Sequence, residues 1–285
     1  MEKLSWKALK KRYPTRSPEA HKYDFGHVLV IGGAPGYSGS VRLAGESALR
    51  VGAGVVTIAT HPDHAAFMNM ARPELMSHGI SSGKELKPLL AKASVIILGP
   101  GLGRESWGRE LFQVVMQAAL ETQKPVILDA DGLYFLGEAR GLSGNTFLGQ
   151  GKHWILTPHA GEAAKLLHQS REEVQKDRAM AVRELVDLYG SVSVLKGAGT
   201  LIASTQSSEI FINPVSNPFM STAGMGDVLS GIIAGLVAQQ CDLLTAAKLG
   251  VSLHSTSVEW VAKKQGARGI LASDVWVGMK HCLNA

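Results

Sequence analysis

Six short aliphatic, β-branched runs recur along the 285 residues: His27–Ile31 (HVLVI), Val55–Ala59, Val95–Leu98, Val126–Leu128, Trp154–Leu156 and Val192–Leu195. Each ends in a turn bearing glycine or proline, and helical periodicity follows at Ser40–Val51, Arg109–Glu121, Glu162–His168 and Glu172–Tyr189. Strands that lack polar alternation must be buried on both faces, and parallel pairing through helical crossovers buries them that way. The expectation is an α/β chain with a central, mostly parallel sheet and helices on both faces. Thr200–Ala203 and Glu209–Ile212 flank the polar turn Ser204–Ser208 and read as an antiparallel pair. Val228–Ala238 and Ala246–Lys263 then read as two successive helices.

The frame is one large domain over residues 25–285, preceded by a basic extension over 1–24. Hydrophobic residues make up 45% of the chain, ample for a single core. The formal charge of +5 resides in Met1–Arg16, where Lys3, Lys7, Lys10, Lys11, Arg12 and Arg16 cluster, and the remainder is balanced. The body has no cationic run interleaved with aromatics, which argues against a nucleic-acid partner. The basic segment lacks the apolar core of a signal peptide, and no stretch approaches a membrane span. Cys241 and Cys282 give neither a disulfide framework nor metal-ligand spacing, so the expected compartment is the reducing cytoplasm.

In such sheets ligands sit at the carboxyl ends of the strands, and several of those loops carry unusual chemistry. Gly32–Gly39 is glycine-rich but has neither GxGxxG spacing nor a Gly-Lys-Ser/Thr, so dinucleotide-fold and P-loop readings lack support. Gly99-Pro100-Gly101-Leu102-Gly103 reads as a close backbone approach to a ligand or as a tight turn. In Asp129-Ala130-Asp131-Gly132 the paired aspartates could orient a metal-bound water or a loop, or Asp131 could cap a helix. Thr157-Pro158-His159-Ala160-Gly161-Glu162 sets a histidine and a carboxylate three residues apart where a strand yields to a helix. His159 is read as contacting ligand, and Glu162 as holding hydrated magnesium or complementing the helix dipole. Lys196-Gly197-Ala198-Gly199-Thr200 offers a cation, a flexible bend and a hydroxyl, a combination suited to nucleotide phosphates and ribose.

The densest signal is Ser221-Thr222-Ala223-Gly224-Met225-Gly226-Asp227-Val228-Leu229-Ser230-Gly231, where a carboxylate follows two glycines just before an apolar helix. The helix N-terminus favours an anion through its free amides and dipole. A carboxylate there repels phosphate, which points to a base that takes a proton from a hydroxyl attacking a phosphoryl group. The alternative is a helix cap.

KGAGT at 196–200, NP at 217–218, MSTAGMGDVLSG at 220–231, TPHAGE at 157–162 and GPGLG at 99–103 occur in an order that resembles the ADP/ATP-dependent NAD(P)H-hydrate dehydratases, carbohydrate-kinase-domain proteins of ribokinase-like fold. The likeness extends over nearly the whole chain from about Phe25. It implies repair of the S epimer of hydrated NADH or NADPH, in which the ring hydroxyl takes a phosphoryl group from ADP or ATP and phosphate is then eliminated. By the same resemblance Asp227 is the base, and Gly224, Met225 and Gly226 form an anion hole. Lys196, Gly197, Ala198, Gly199 and Thr200, with Asn217 and Gly226, hold the adenine nucleotide. Ser40, Gly103 and His159 touch the hydrated dinucleotide alongside Asp227, and Glu162 holds Mg2+ through water.

Family members often read GNPGMAT where this chain has Ser216 to Thr222, so Phe219 replaces a glycine, and Ser40 stands where alanine is common. Met225 occupies a position that is often threonine in kinases of the fold, which removes a side-chain hydrogen bond but keeps the backbone N–H. The resemblance also implies a homotetramer and a functional partner, an epimerase of the two hydrates. No epimerase domain precedes residue 25, so the expectation is a separate epimerase or a chain cut from a fused protein. The rival readings are a kinase of the same fold acting on a vitamin or sugar alcohol, a non-catalytic nucleotide-binding protein, and a nicotinamide-dependent dehydrogenase.

Overall fold

The structure, a computed structural model, describes residues 1–140 and 147–285. The chain begins with β1 (Glu2–Lys3), α1 (Trp6–Leu9), β2 (His27–Ile31), α2 (Ser38–Arg50), β3 (Val55–Thr60), α3 (Pro62–Ala65), β4 (Met76–Gly79), α4 (Gly83–Lys92) and β5 (Val95–Leu98). It continues through α5 (Ser106–Thr122), β6 (Val126–Leu128), α6 (Asp131–Arg140), β7 (Trp154–Leu156), α7 (Ala160–Leu167), α8 (Arg171–Lys176), α9 (Arg178–Tyr189) and β8 (Val192–Leu195). The last elements are β9 (Thr200–Ser204), β10 (Ser207–Asn213), α10 (Met225–Ala238), α11 (Leu243–Gln265) and α12 (Val275–Asn284).

The strands form one sheet in the order β1-β10-β9-β8-β7-β6-β5-β2-β3-β4. From β4 to β8 every pairing is parallel, whereas β9 is antiparallel to both β8 and β10. Alternate residues of each strand feed two cores, as the period of two requires. Val28, Val30, Ile97, Ile127 and Ile155 point to the face covered by α2, α10, α11 and α12. Leu29, Ile31, Leu98, Leu128 and Leu156 point to the face covered by α4, α5, α6, α7 and α9. This is the sheet with two helical layers expected from the sequence.

Five differences have physical causes. The stretch 172–189 is two helices, because Asp177 leaves helical geometry (φ −140°, ψ 81°) and its carboxylate accepts the Met180 N–H at 2.9 Å, starting a new helix. Helix α10 begins three residues earlier than predicted: Gly224, at φ +88°, is its N-cap, so Asp227 lies inside the first turn. Strand β4 (MSHG) carries no strand signal in the sequence because it is an edge strand without β-branched residues, and α6 lacks a clear helical pattern because Gly132 and Gly137 interrupt it. Residues 1–16 also join the fold: Leu4 donates its N–H to Ile212, Leu4 and Leu9 are buried, and the Tyr13 hydroxyl donates to the Val51 carbonyl.

Helix α10, which carries Asp227, is set by close approach to α2. A Cβ on Gly231 would strike the Ala44 carbonyl, and one on Gly235 would strike Val51. Gly231→Ala should therefore destabilise the protein by about 1–3 kcal/mol through overpacking. Gly137→Ala in α6, whose added Cβ would have no neighbour nearer than 3.6 Å, should be neutral or stabilising by up to roughly 1 kcal/mol. Denaturant unfolding of both variants checks this, and equal midpoints would contradict the tight α2–α10 contact.

Candidate active site

The carboxyl ends of β6, β7 and β8 bring three loops together under the N-terminus of α10. Lys196 follows β8 directly and pairs in parallel with His159, donating its backbone N–H to the Pro158 carbonyl at 2.8 Å. Its side chain turns inward: Nζ lies 2.7 Å from Asp129 Oδ1 and 3.7 Å from Glu162 Oε2. Asp129 closes β6 and is 2% exposed. Besides Lys196, it accepts the Ser230 hydroxyl at 2.7 Å and the Ala130 N–H at 3.0 Å. The next residue, Ala130, sits at φ +47°, a conformation that L residues seldom adopt and that marks this turn as held by its surroundings.

Gly226 passes directly over this ion pair. A Cβ there would stand 3.4 Å from Lys196 Nζ and 3.6 Å from Asp129 Oδ2, so a longer side chain would cover the cation. The amides of Gly226 and Asp227 belong to the first turn of α10, where no preceding helical carbonyl reaches them. Cation, free amides and helix dipole thus converge on one point beside the Asp227 carboxylate, an arrangement suited to a phosphoryl group.

The charges in this cluster set one another. Burial opposes ionisation of Asp129, but Lys196 and the Ser230 hydroxyl outweigh it and hold the carboxyl below its ordinary range. Burial likewise disfavours the ammonium of Lys196, yet Asp129, Glu162 and Asp227 together raise its pKa. Asp227 goes the other way: burial, reinforced by the negative charge of Asp129, pushes it up to about 7 against the pull of the Ser40 hydroxyl and Lys196. A carboxyl group at that level is about half ionised at neutral pH and can therefore accept a proton there.

In the turn before α7, His159 and Glu162 form a reciprocal cap. His159 Nδ1 accepts the N–H groups of Gly161 and Glu162 at 3.0 and 3.2 Å, while Glu162 Oε2 accepts the His159 N–H at 2.7 Å. Because Nδ1 accepts, the ring hydrogen is assigned to Nε2, which lies 3.5 Å from Glu162 Oε1. The motif singled out in the sequence is therefore a helix cap whose two side chains also face ligand space.

A cavity of about 730 Å³ opens beside Asp227, of a size that suits a nucleotide. It is lined by Lys196, Gly197, Ala198, Thr200 and Asn217, by Gly224, Met225 and Gly226, and by His159 and Glu162. Asn217 Oδ1 is engaged by the Phe219 N–H at 3.0 Å, which fixes the turn leading towards α10. Gly199 makes the bend at φ +68° without lining the cavity.

Ser40 and Gly103 do not line it either. The Ser40 hydroxyl lies close enough to Asp227 to favour its charged form, and the Gly103 N–H is bonded to Asp131 Oδ2 at 3.0 Å. Hence the residues expected to touch the hydrated dinucleotide divide, with His159 on the cavity side and Ser40 and Gly103 at the turn beyond Asp227. Among the titratable residues that line the cavity, two lie outside the predicted set. Asp129 lay in a motif already noticed, and His254, on α11, lay in a helix with no local signal.

A family model described as NAD(P)H-hydrate dehydratase matches residues 28–278. The chain belongs to the NAD(P)H-hydrate dehydratase family. A bifunctional NAD(P)H-hydrate repair enzyme of Coxiella burnetii is 47% identical over 99% of this chain and 55% of its own length. An ADP-dependent (S)-NAD(P)H-hydrate dehydratase of Neisseria meningitidis is 37% identical over 92% of this chain and 86% of its own. Among solved structures, the ADP/ATP-dependent NAD(P)H-hydrate dehydratase of Bacillus subtilis, co-crystallized with ATP/Mg2+, superposes with a TM-score of 0.81 at 26% identity, covering 98% of this chain and 96% of its own. The α/β fold is thus ribokinase-like, as expected. The chain spans about half the length of the bifunctional curated relatives it matches.

In this dehydratase-family chain Asp129 acts on Asp227 through its charge, and titration can read that effect. Carboxyl 13C NMR should give Asp227 a midpoint near 7. In Asp129→Asn the repelling charge disappears and Lys196 is released towards Asp227, so the midpoint should fall by about one unit or more. A midpoint that stays or rises would show that Asp129 does not tune the base.

Proposed function

We propose that the protein carries out ADP- or ATP-dependent dehydration of the S epimer of hydrated NADH and NADPH, returning the reduced cofactors. The observation that carries this reading is the Asp227 carboxylate in the first turn of α10, whose Gly226 lies over the half-buried Lys196 ammonium. A base and an anion site sharing one point suit a hydroxyl that must lose its proton as it meets a phosphoryl group.

Asp227, held by Ser40, takes the proton of the ring hydroxyl, whose oxygen bonds to the terminal phosphorus while the bond to the nucleotide breaks. AMP leaves when ADP is the donor, and ADP leaves when it is ATP. Lys196 and the amides of Gly226 and Asp227 offset the charge that develops on the phosphoryl oxygens. The phosphate then departs from the ring carbon together with a proton from the adjacent carbon, and the ring double bond is restored. Lys196 to Thr200, with Asn217, hold the nucleotide, while Ser40, Gly103 and His159 contact the hydrate.

Mg2+ fits this site as an ion brought in by the nucleotide. Among the described residues no three acidic, histidine or cysteine side chains converge as a metal cage. The partly exposed carboxylate of Glu162 suits an ion that keeps much of its water and is held mainly by phosphates. When bound, Mg2+ would neutralise phosphate charge, with Glu162 reaching it through water.

The reading includes an epimerase of the two hydrates as functional partner, in keeping with the bifunctional relatives of twice this length. It places the protein in the cytoplasm as a homotetramer. Cys241 and Cys282 are unpaired, and exposed Phe67, Met70 and Met76, the last on edge strand β4, offer apolar surface for self-association. No helix among the described residues is long and apolar enough to cross a membrane.

The test is incubation with hydrated NADH and Mg2+, with and without ADP or ATP, while the absorbance of the reduced nicotinamide is followed. Recovery should require a nucleotide and yield one inorganic phosphate per NADH. Absence of recovery, with phosphorylation of a vitamin or sugar alcohol instead, would replace this reading with a kinase.

A further inference from the structure

The cavity contains a polar group that the protein itself leaves unsatisfied. His254, midway along α11, is 4% exposed and lines the cavity with Val251, one helical turn earlier. Its Nε2 has no hydrogen-bond partner among the described residues. Of the buried side-chain atoms left in that condition, it alone belongs to a residue lining the cavity. A buried imidazole nitrogen without a partner costs free energy, and its position in the lining of a cavity makes a bound molecule a natural source of that partner.

The chemistry of that partner can be narrowed. Burial, with Lys196 nearby, pushes His254 down to about 4, so the ring is neutral at physiological pH and offers one donor and one acceptor. The phosphate-binding features, Lys196 and the amides of α10, are separate groups and carry the positive charge that His254 lacks. The lining of the cavity includes the apolar side chains of Val215, Leu229 and Val251, the last one helical turn from His254. A flat, largely apolar group bearing uncharged hydrogen-bonding atoms matches this environment, and a nucleoside has that character.

We propose that His254 is a ligand-contacting residue that hydrogen-bonds the nucleoside part of the phosphoryl-donor nucleotide, through a ribose hydroxyl or a purine nitrogen. This deepens the reading given under Proposed function and rests on nucleotide binding in this cavity. It assigns recognition to two places: phosphates at Lys196 and the α10 amides, and nucleoside at α11.

The full chain, its His254→Leu variant and its His254→Gln variant are compared by calorimetry with ADP and with inorganic pyrophosphate, and by melting without ligand. His254→Leu should bind ADP roughly 3- to 10-fold more weakly, the effect of one lost hydrogen bond, while its affinity for pyrophosphate is unchanged. Its melting temperature without ligand should stay the same or rise, because an unsatisfied buried group has been removed. His254→Gln, which keeps a neutral donor and acceptor, should recover part of the ADP affinity. Wild-type ADP affinity in His254→Leu would overturn the assignment, as would equal losses of ADP and pyrophosphate binding together with a lower melting temperature. If the parent protein binds no ADP, the nucleotide reading fails and this inference fails with it.

Discussion

The ion pair between the half-buried Lys196 and the buried Asp129 is the interaction around which the site is arranged. It exists because β6 and β8, separated in the sheet only by β7, end at the same level and deliver a carboxylate and an ammonium to one point. Both groups lose water there, and a pair in that position survives only when its remaining hydrogen-bonding capacity is met. Ser230, the Ala130 amide and Glu162 meet it. Ser230 comes from α10, one turn beyond Asp227, so the pair also fixes the helix that carries the base. Gly226 supplies the clearance that lets that helix lie over it.

The arrangement trades stability for chemistry. Asp227 ionises in the unfolded chain near the ordinary carboxylate value but only near 7 in the folded protein. Below both values the residue costs nothing, and between them the unfolded state is favoured as pH rises. Above about 7 the full penalty is present, because the folded protein then carries a buried charge beside Asp129. Such local cost is expected where a group is tuned for proton transfer. The reciprocal cap of His159 and Glu162 and the tight α2–α10 contact provide rigidity around it.

Much of the fold was legible because buried parallel strands are nearly continuous apolar runs bounded by glycine. The strands that were missed lack that signature: β4 reads MSHG, and β1 is two charged residues whose pairing is visible only in three dimensions. Leu4 and Leu9 were hidden among six cations. At the site, Asp227, Lys196 and the glycine turns were legible because each joins a charged group to a flexible strand end. Asp129 was noticed only as one of two aspartates, and the sequence does not say which one turns inward. The structure separates them: Asp129 meets Lys196, whereas Asp131 bonds the Gly103 amide and Arg104. His254 had no local signal at all, since a histidine on a long helix becomes informative only when its missing partner is seen.

The central claim is that Asp227 is a base placed at an energetic cost, not a cap that supports α10. Turnover and melting temperature measured on the same preparation of Asp227→Asn at pH 8 decide between these. As a base, the residue is irreplaceable by an amide, so turnover of hydrated NADH should fall about 100- to 10,000-fold. The melting temperature should hold or rise, because the buried charge has gone. A variant that keeps most of the parent rate, or one whose melting temperature falls in step with its activity, would contradict the account.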